Sequence, residues 1–346
     1  MNPVAIRLLA QQLASPQLAS PHDIVSHFGA MQAQDYRMMR WAVVMRMRRP
    51  SAEVFCKAFD DGEIIRLHLL RGTWQLVSCD DYPWMLRLFA GKAERTIRGW
   101  MKANCVTIDD EEFHATRHIL AEECVAKGNA TKEDFAAALM RHGISMDAHR
   151  LSYHIRLAEI SGTLCSGCLT PMRATYALAE NKVKTTTQME KDEMLALLAR
   201  KYFQSHSPAT FDDYLWWSGL TVAECLRGMD ALGAELSKES WKGYEFYIHE
   251  SCRRRGFRKG RSLLLPPFDE YLIGYKSREI VLHPTHVHHA HTNNGIFFPI
   301  IACDGVICGN WSPWEKELKT SLFMPIEEDL AFGEQWKYFS LTKDLL

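Results

Sequence analysis

The sequence predicts a mostly α-helical chain with a small share of β. The expected order is three tandem helix-turn-helix units, each closed by a wing-like hairpin, then a C-terminal antiparallel β-barrel or sheet. Three observations carry this α+β assignment. Capping signatures recur at Ser20-Pro21, Thr131-x-x-Asp134, Thr210-x-x-Asp213 and Thr221-x-x-Glu224. Helix, glycine turn, helix and then β-rich residues follow one another repeatedly. After Arg261 the helical period gives way to short apolar runs broken by Pro and Gly.

Taken in order, Val4, Leu8, Leu9 and Leu13 make one stripe of a helix over 3–13. Ser20 caps a second helix with Pro21 at its first position, ending at Phe28. Tyr36, Met39, Val43 and Met47 mark the buried face of a third, with Arg37, Arg40 and Arg46 off it. Pro50-Ser51 stops that helix and caps a short fourth. Residues 64–77 read as a hairpin bent at Arg71-Gly72-Thr73, and 80–103 as helix. Helices over 109–126, from Thr131 to His142, and over 147–160 precede strands near 163–165 and 173–178. Helices over 189–203, from Thr210 to Gly219, and from Thr221 to about Leu232 precede strand character at 241–249. Strands are expected over 263–275, 297–302, 306–311 and 318–324, and a helix from Ile326 to the end, packed by Leu330, Trp336 and Phe339. The boundaries are 1–104, 105–185 and 186–250 for the three units and 251–346 for the β part.

Net charge is −1, so the chain as a whole does not announce a nucleic-acid binder. The charges are uneven, however. Arg37, Arg40, Arg46, Arg48 and Arg49 occur without an acid between them, and Lys92, Arg95, Arg98 and Lys102 recur at helical spacing. Arg253, Arg254, Arg255, Arg258, Lys259 and Arg261 form a third cluster free of carboxylates. Such patches suit a phosphate-facing side, or solvated loops. No apolar run approaches the ~18 residues of a membrane span, and no secretory leader is visible at the start. The ten cysteines are scattered and read as reduced thiols of a cytoplasmic protein.

The stretch Gly29-Ala30-Met31-Gln32-Ala33-Gln34-Asp35 separates two apolar-periodic segments. Side chains two apart diverge by about 200° on a helix but point the same way on extended backbone. On extended backbone, Gln32 and Gln34 can grip one small polar object such as a water, since each amide carries donors and an acceptor. Two solvated glutamines at a turn fit the same spacing. The histidines 283, 286, 288, 289 and 291 lack a completing Cys or acidic set for zinc and read as a polar loop that gains charge as pH falls. Cys165-x-x-Cys168 stands alone, without the second pair of a metal site.

With Gln32-Ala33-Gln34, Leu70-Arg71-Gly72-Thr73 and the run 265–275 in hand, the chain resembles the AlkZ/YcaQ-like group of bacterial DNA glycosylases. These are winged-helix proteins that include enzymes unhooking interstrand crosslinks. The resemblance extends through Gly305 to Gly309-Asn310-Trp311. It implies three winged-helix units plus a β-barrel, and a Gln-x-Gln signature, here Gln32 and Gln34, that positions the water attacking the sugar. It further implies duplex DNA with N7-alkylated purines as substrate, no metal or cofactor, no membrane partner, and a monomer at the nucleoid.

Arg37, Arg40 and the cluster 253–261 are then expected on phosphates. Arg71, beside Thr73 in the shared motif, either reaches a phosphate or holds the hairpin. Phe268-Asp269-Glu270-Tyr271, with two acids beside aromatics, either lines a lesion pocket through residues such as Asp269 and Tyr271 or hydrogen-bonds a barrel turn, and Asp35 either assists electrostatically or caps the helix after it. Two departures stand out: Gln75 where many relatives carry histidine, and a bulky Trp74. A non-catalytic winged-helix regulator is the alternative, and a scaffold that has lost its activity a third option.

Overall fold

Side-chain caps set where the helices begin. Ser20 accepts the Asp23 N–H (3.0 Å) ahead of helix Pro21–Phe28. Thr131, Thr210 and Thr221 exchange reciprocal bonds with Asp134, Asp213 and Glu224, opening helices Lys132–Arg141, Phe211–Ser218 and Val222–Asp230. Gly219 closes the second of these at φ 66°, a conformation that a Cβ would strain. The structure, a computed structural model, describes residues 1–183, 188–325 and 332–345. They pack as two units, Met1–Phe55 with Asp192–Leu346, and Cys56–Lys191.

In the unit Cys56–Lys191, strands Ile64–His68 and Trp74–Ser78 pair antiparallel, with His68 opposite Trp74. A tight turn over Leu70–Gly72 joins them, and a Cβ on Gly72 would sit 2.9 Å from the Trp100 ring. The long helix Tyr82–Ala103 follows, then Asp110–Lys127, Lys132–Arg141 and Ala148–Ile160. Leu164–Ser166 and Thr175–Leu178 form the hairpin after these helices, and Ala130–Thr131 adds a third strand. Leu120, Phe135, Leu139, Leu151 and Ala158 fill the core between helices and sheet. This is the helix, turn, helix, hairpin order expected for the region.

In the unit Met1–Phe55 with Asp192–Leu346, helices Pro3–Ala10, Pro21–Phe28 and Met38–Val44 share a core with the C-terminal elements. An aromatic cluster on helix Lys191–His206 centres on Tyr202, which stacks on His206 at 4.5 Å and meets Trp217 at 4.9 Å. Strands Ser262–Leu265, Ile300–Cys303, Val306–Ser312 and Lys319–Leu322 lie side by side in that order, all antiparallel, with a bulge at Cys308. Trp311 of this sheet packs on Phe339 (5.2 Å) and Trp336 (6.4 Å) of helix Gly333–Thr342, as expected.

Three expectations need correction. The β part is an open sheet among the described residues: strand Lys319–Leu322 is exposed along its whole length and too short to curl round to Ser262–Leu265. The strand read over 263–275 ends at Leu265, because Pro266-Pro267 cannot continue the ladder and Asp269 caps the short helix Glu270–Ile273. The strand read over 241–249 is a hairpin, Leu236–Trp241 against Tyr244–His249. Ile326 and Leu330, assigned to the last helix, lie outside the described residues.

His27 makes this unit acid-sensitive. Burial, opposed by a bond to the Ala10 carbonyl (2.8 Å), lowers its pKa from 6.5 to about 4. Between those values the unfolded chain binds a proton that the folded chain refuses. The stabilisation is therefore complete above pH 6.5 and declines on acidification by about 1.4 kcal/mol per pH unit until pH 4. Urea unfolding of wild type across this range should show the slope, and His27→Gln should remove one proton's worth of it.

Candidate active site

Gly29, at φ 74°, ends helix Pro21–Phe28 and turns the chain into extended backbone, with Met31–Gln32 as a strand. Ala30, Met31 and Ala33 are buried, which seats the segment in the fold. Gln32 is buried and Gln34 exposed. The Gln32 side-chain oxygen accepts the Ala33 N–H at 3.0 Å, and Gln34 has no partner among the described residues. Asp35 accepts the N–H groups of Arg37 (3.0 Å) and Met38 (2.9 Å), so it closes the turn that leads into helix Met38–Val44.

The support beneath Gln32 comes from residues far away in the sequence. Its backbone N–H donates to Glu270 Oε1 at 2.6 Å. The other Glu270 oxygen faces His206 Nε2 at 3.2 Å, and the Glu270 carbonyl accepts from Gln11 Nε2 at 3.2 Å. Burial lowers the His206 pKa, against the pull of Glu270. Glu270 is aimed by the short helix that Asp269 caps, and Asp269 is gripped by both Arg46 nitrogens at 2.7 and 2.9 Å. The remaining Arg46 donors go to the Gln11 backbone and side chain and to the Ala42 carbonyl, so all five N–H groups are used.

The sequence-predicted contacts fall into two groups. Arg40, Asp269 and Tyr271 are buried and turn inward. Arg40 donates to the Leu345 carbonyl (2.7 Å), Asp269 pairs with Arg46, and the Tyr271 hydroxyl donates to the Gly305 carbonyl (2.7 Å). Internal partners account for the inward placement of all three, and for Asp269 and Tyr271 this is the turn-bonding alternative. Arg46, placed off the buried face, is likewise wholly buried.

The second group is reachable from solvent. Arg37 is half-buried and stacks on the Trp314 ring at 3.9 Å. Arg253 donates to the Ser15 carbonyl (2.8 Å), and Arg254 pairs with Glu239. The side chains of Arg255, Arg258, Lys259 and Arg261 are exposed with no partner among the described residues. On the hairpin, Arg71 is half-buried at φ 54°, and Thr73 donates to the Leu70 carbonyl while accepting from the buried Gln75 (2.9 Å). Of the histidine cluster, His289 stacks on Phe323 at 4.8 Å and His286 meets the same ring tilted, at 4.9 Å. Sequence reasoning missed Gln11, and it singled out Glu270 and Arg46 without the contacts that place them beneath Gln32.

A family model described as DNA glycosylase AlkZ-like matches residues 25–330. An interstrand DNA cross-link repair glycosylase from Streptomyces sahachiroi is 24% identical, covering 93% of this chain and 90% of its own. The solved structure of Streptomyces sahachiroi DNA glycosylase AlkZ superposes with a TM-score of 0.78 at 20% identity, covering 99% of this chain and 96% of that one. This likeness establishes the shared fold. No described helix is long and apolar enough to cross a membrane.

The buried pair under the site predicts a clear stability ranking. Arg46→Leu leaves the Asp269 carboxylate buried without a cation and should cost about 3–5 kcal/mol in urea unfolding. Arg46→Leu combined with Asp269→Leu removes both charges and should cost less than the single change.

Proposed function

The chain belongs to the AlkZ-like DNA glycosylase family, and from that membership we propose that it releases N7-alkylated purines from duplex DNA, including those tethered in interstrand crosslinks. The observation that carries this reading is the position of Gln32 and Gln34: one amide is anchored in the fold and the next is open to solvent, within the matched region.

The chemistry suits neutral amides. Alkylation at N7 makes the purine a cation, so the C1′–N9 bond breaks with its electron pair going to a base that leaves neutral. The sugar becomes an oxocarbenium-like centre. Water adds to C1′ and its proton passes to bulk solvent, leaving an abasic site. No side chain has to donate a proton to the leaving group, so alignment of the water is the main catalytic contribution. Gln34 supplies an acceptor for that water, and Gln32 fixes the direction of approach. Exposed Arg255, Arg258, Lys259 and Arg261 provide cations for the phosphate backbone. A crosslinked base cannot be fully flipped into a closed pocket, so an open cleft is required.

Duplexes carrying N7-methylguanine or a nitrogen-mustard crosslink test this directly. Wild type should generate abasic sites, Gln32→Ala and Gln34→Ala should each lose about tenfold or more in rate, and a uracil-containing duplex should stay intact. Binding of the damaged duplex by wild type without any base release would support a non-catalytic regulator instead.

A further inference from the structure

Resting on the glycosylase reading, we propose that Glu270 is the charge-bearing residue of this site, a buried carboxylate that acts from behind Gln32 to favour a positively charged sugar. It is a positioning residue with an electrostatic role, and it does not touch the substrate.

The inference starts from the charges that the fold has buried together. Arg46 lies on Asp269 at 2.7 Å, and Arg7 lies beside Asp213 at 3.6 Å, each pair without solvent exposure. Gln11 and Tyr275 tie these pairs to Glu270. Gln11 bonds to Arg46, to the Glu270 carbonyl and to the Tyr275 hydroxyl (3.2 Å), and the Arg7 guanidinium sits 3.7 Å from the Tyr275 ring. The two arginines are matched by the two aspartates, and Glu270 is the carboxylate left over. It makes no ion pair with Arg or Lys among the described residues, and burial lowers the pKa of the one imidazole it meets, His206.

A buried carboxylate without a counter-cation is costly, and a fold that only needed an acceptor for the Gln32 N–H could use an amide. Retaining a charge there has a consequence that an amide cannot reproduce. In the low-dielectric interior, where screening is weak, the field of the carboxylate extends past Gln32 toward the position a sugar cation would take in the proposed reaction. Both carboxylate oxygens are engaged, one by Gln32 and one by His206, so Glu270 is placed to exert a field and not to take a proton from the attacking water.

Charge and geometry are separable by substitution. Glu270→Gln keeps an acceptor for the Gln32 N–H and removes the charge, whereas Glu270→Asp keeps the charge and shortens the reach. The probes are two duplexes, one with a cationic pyrrolidine in place of the target sugar and one with the neutral tetrahydrofuran analogue, with base release from N7-methylguanine DNA measured in parallel. Wild type should prefer the cationic analogue by tenfold or more. Glu270→Gln should lose that preference while binding the neutral analogue as before, and Glu270→Asp should retain most of it. In the rate assay Glu270→Gln should lower kcat by tenfold or more with KM little changed. An unaltered preference in folded Glu270→Gln, or a larger loss in Glu270→Asp than in Glu270→Gln, overturns the proposal and leaves Glu270 a purely structural anchor. The binding arm needs no turnover, so wild type that binds the cationic duplex selectively yet releases no base refutes the glycosylase reading without refuting the role of Glu270.

Discussion

The two-pronged contact between Arg46 and Asp269 is the constraint on which the N- and C-terminal parts of this chain depend. It joins residues separated by 223 positions, and neither side chain is exposed. Burying two ions is worthwhile only when geometry is good and the leftover donors are satisfied. Here Gln11 and the Ala42 carbonyl take the remaining guanidinium N–H groups, so the pair brings no orphan donor with it. Asp269, so held, caps Glu270–Ile273, and the first residue of that helix meets the Gln32 backbone. An ion pair thereby fixes the placement of a neutral amide.

A buried titratable pair recurs in the unit Cys56–Lys191, with a different balance. His68 Nδ1 meets Glu159 at 2.5 Å, burial pushes Glu159 well above the ordinary carboxylate range, and burial lowers His68. Both shifts favour the uncharged forms. His68 also packs against Trp74 (3.7 Å), and Arg66 lies over the same indole at 3.6 Å. The bulky Trp74 is therefore accommodated as a platform between two strand residues, while Gln75, pointing inward, holds Thr73. Both departures from the family motif thus have packing roles in the hairpin.

What the sequence made legible was local. A Thr followed three residues later by Asp or Glu reports its own capping box, and all three such boxes form as read. The two stretches that failed are those where a distant partner decides. Arg40 and Arg46 looked like the solvent side of a helix because arginine belongs there by default, and nothing near them in the sequence shows that Leu345 and Asp269 receive them. The run after Leu265 looked β because it is aromatic and apolar, but Pro266-Pro267 and the Asp269 cap outweigh propensity. In the same way the Gln32–Gln34 spacing is visible in the sequence, whereas the residues holding Gln32 are not, since Glu270 contacts it across 238 positions.

The proposed division, with amides in front and a carboxylate behind, bears on which chemistry such a site can perform. An amide facing the sugar orients water without competing for its proton or trapping the sugar as an ester. A carboxylate set back behind a peptide N–H stabilises positive charge but is out of reach of the reacting atoms. Neither group can protonate a leaving base. A site built in this way depends on the substrate to bring its own leaving-group activation, which a cationic N7-alkylpurine does and a neutral base does not. On the proposed reading, selectivity for the lesion follows from what such a site lacks, without tight shape recognition of the base, which is the condition that a bulky or crosslinked adduct imposes.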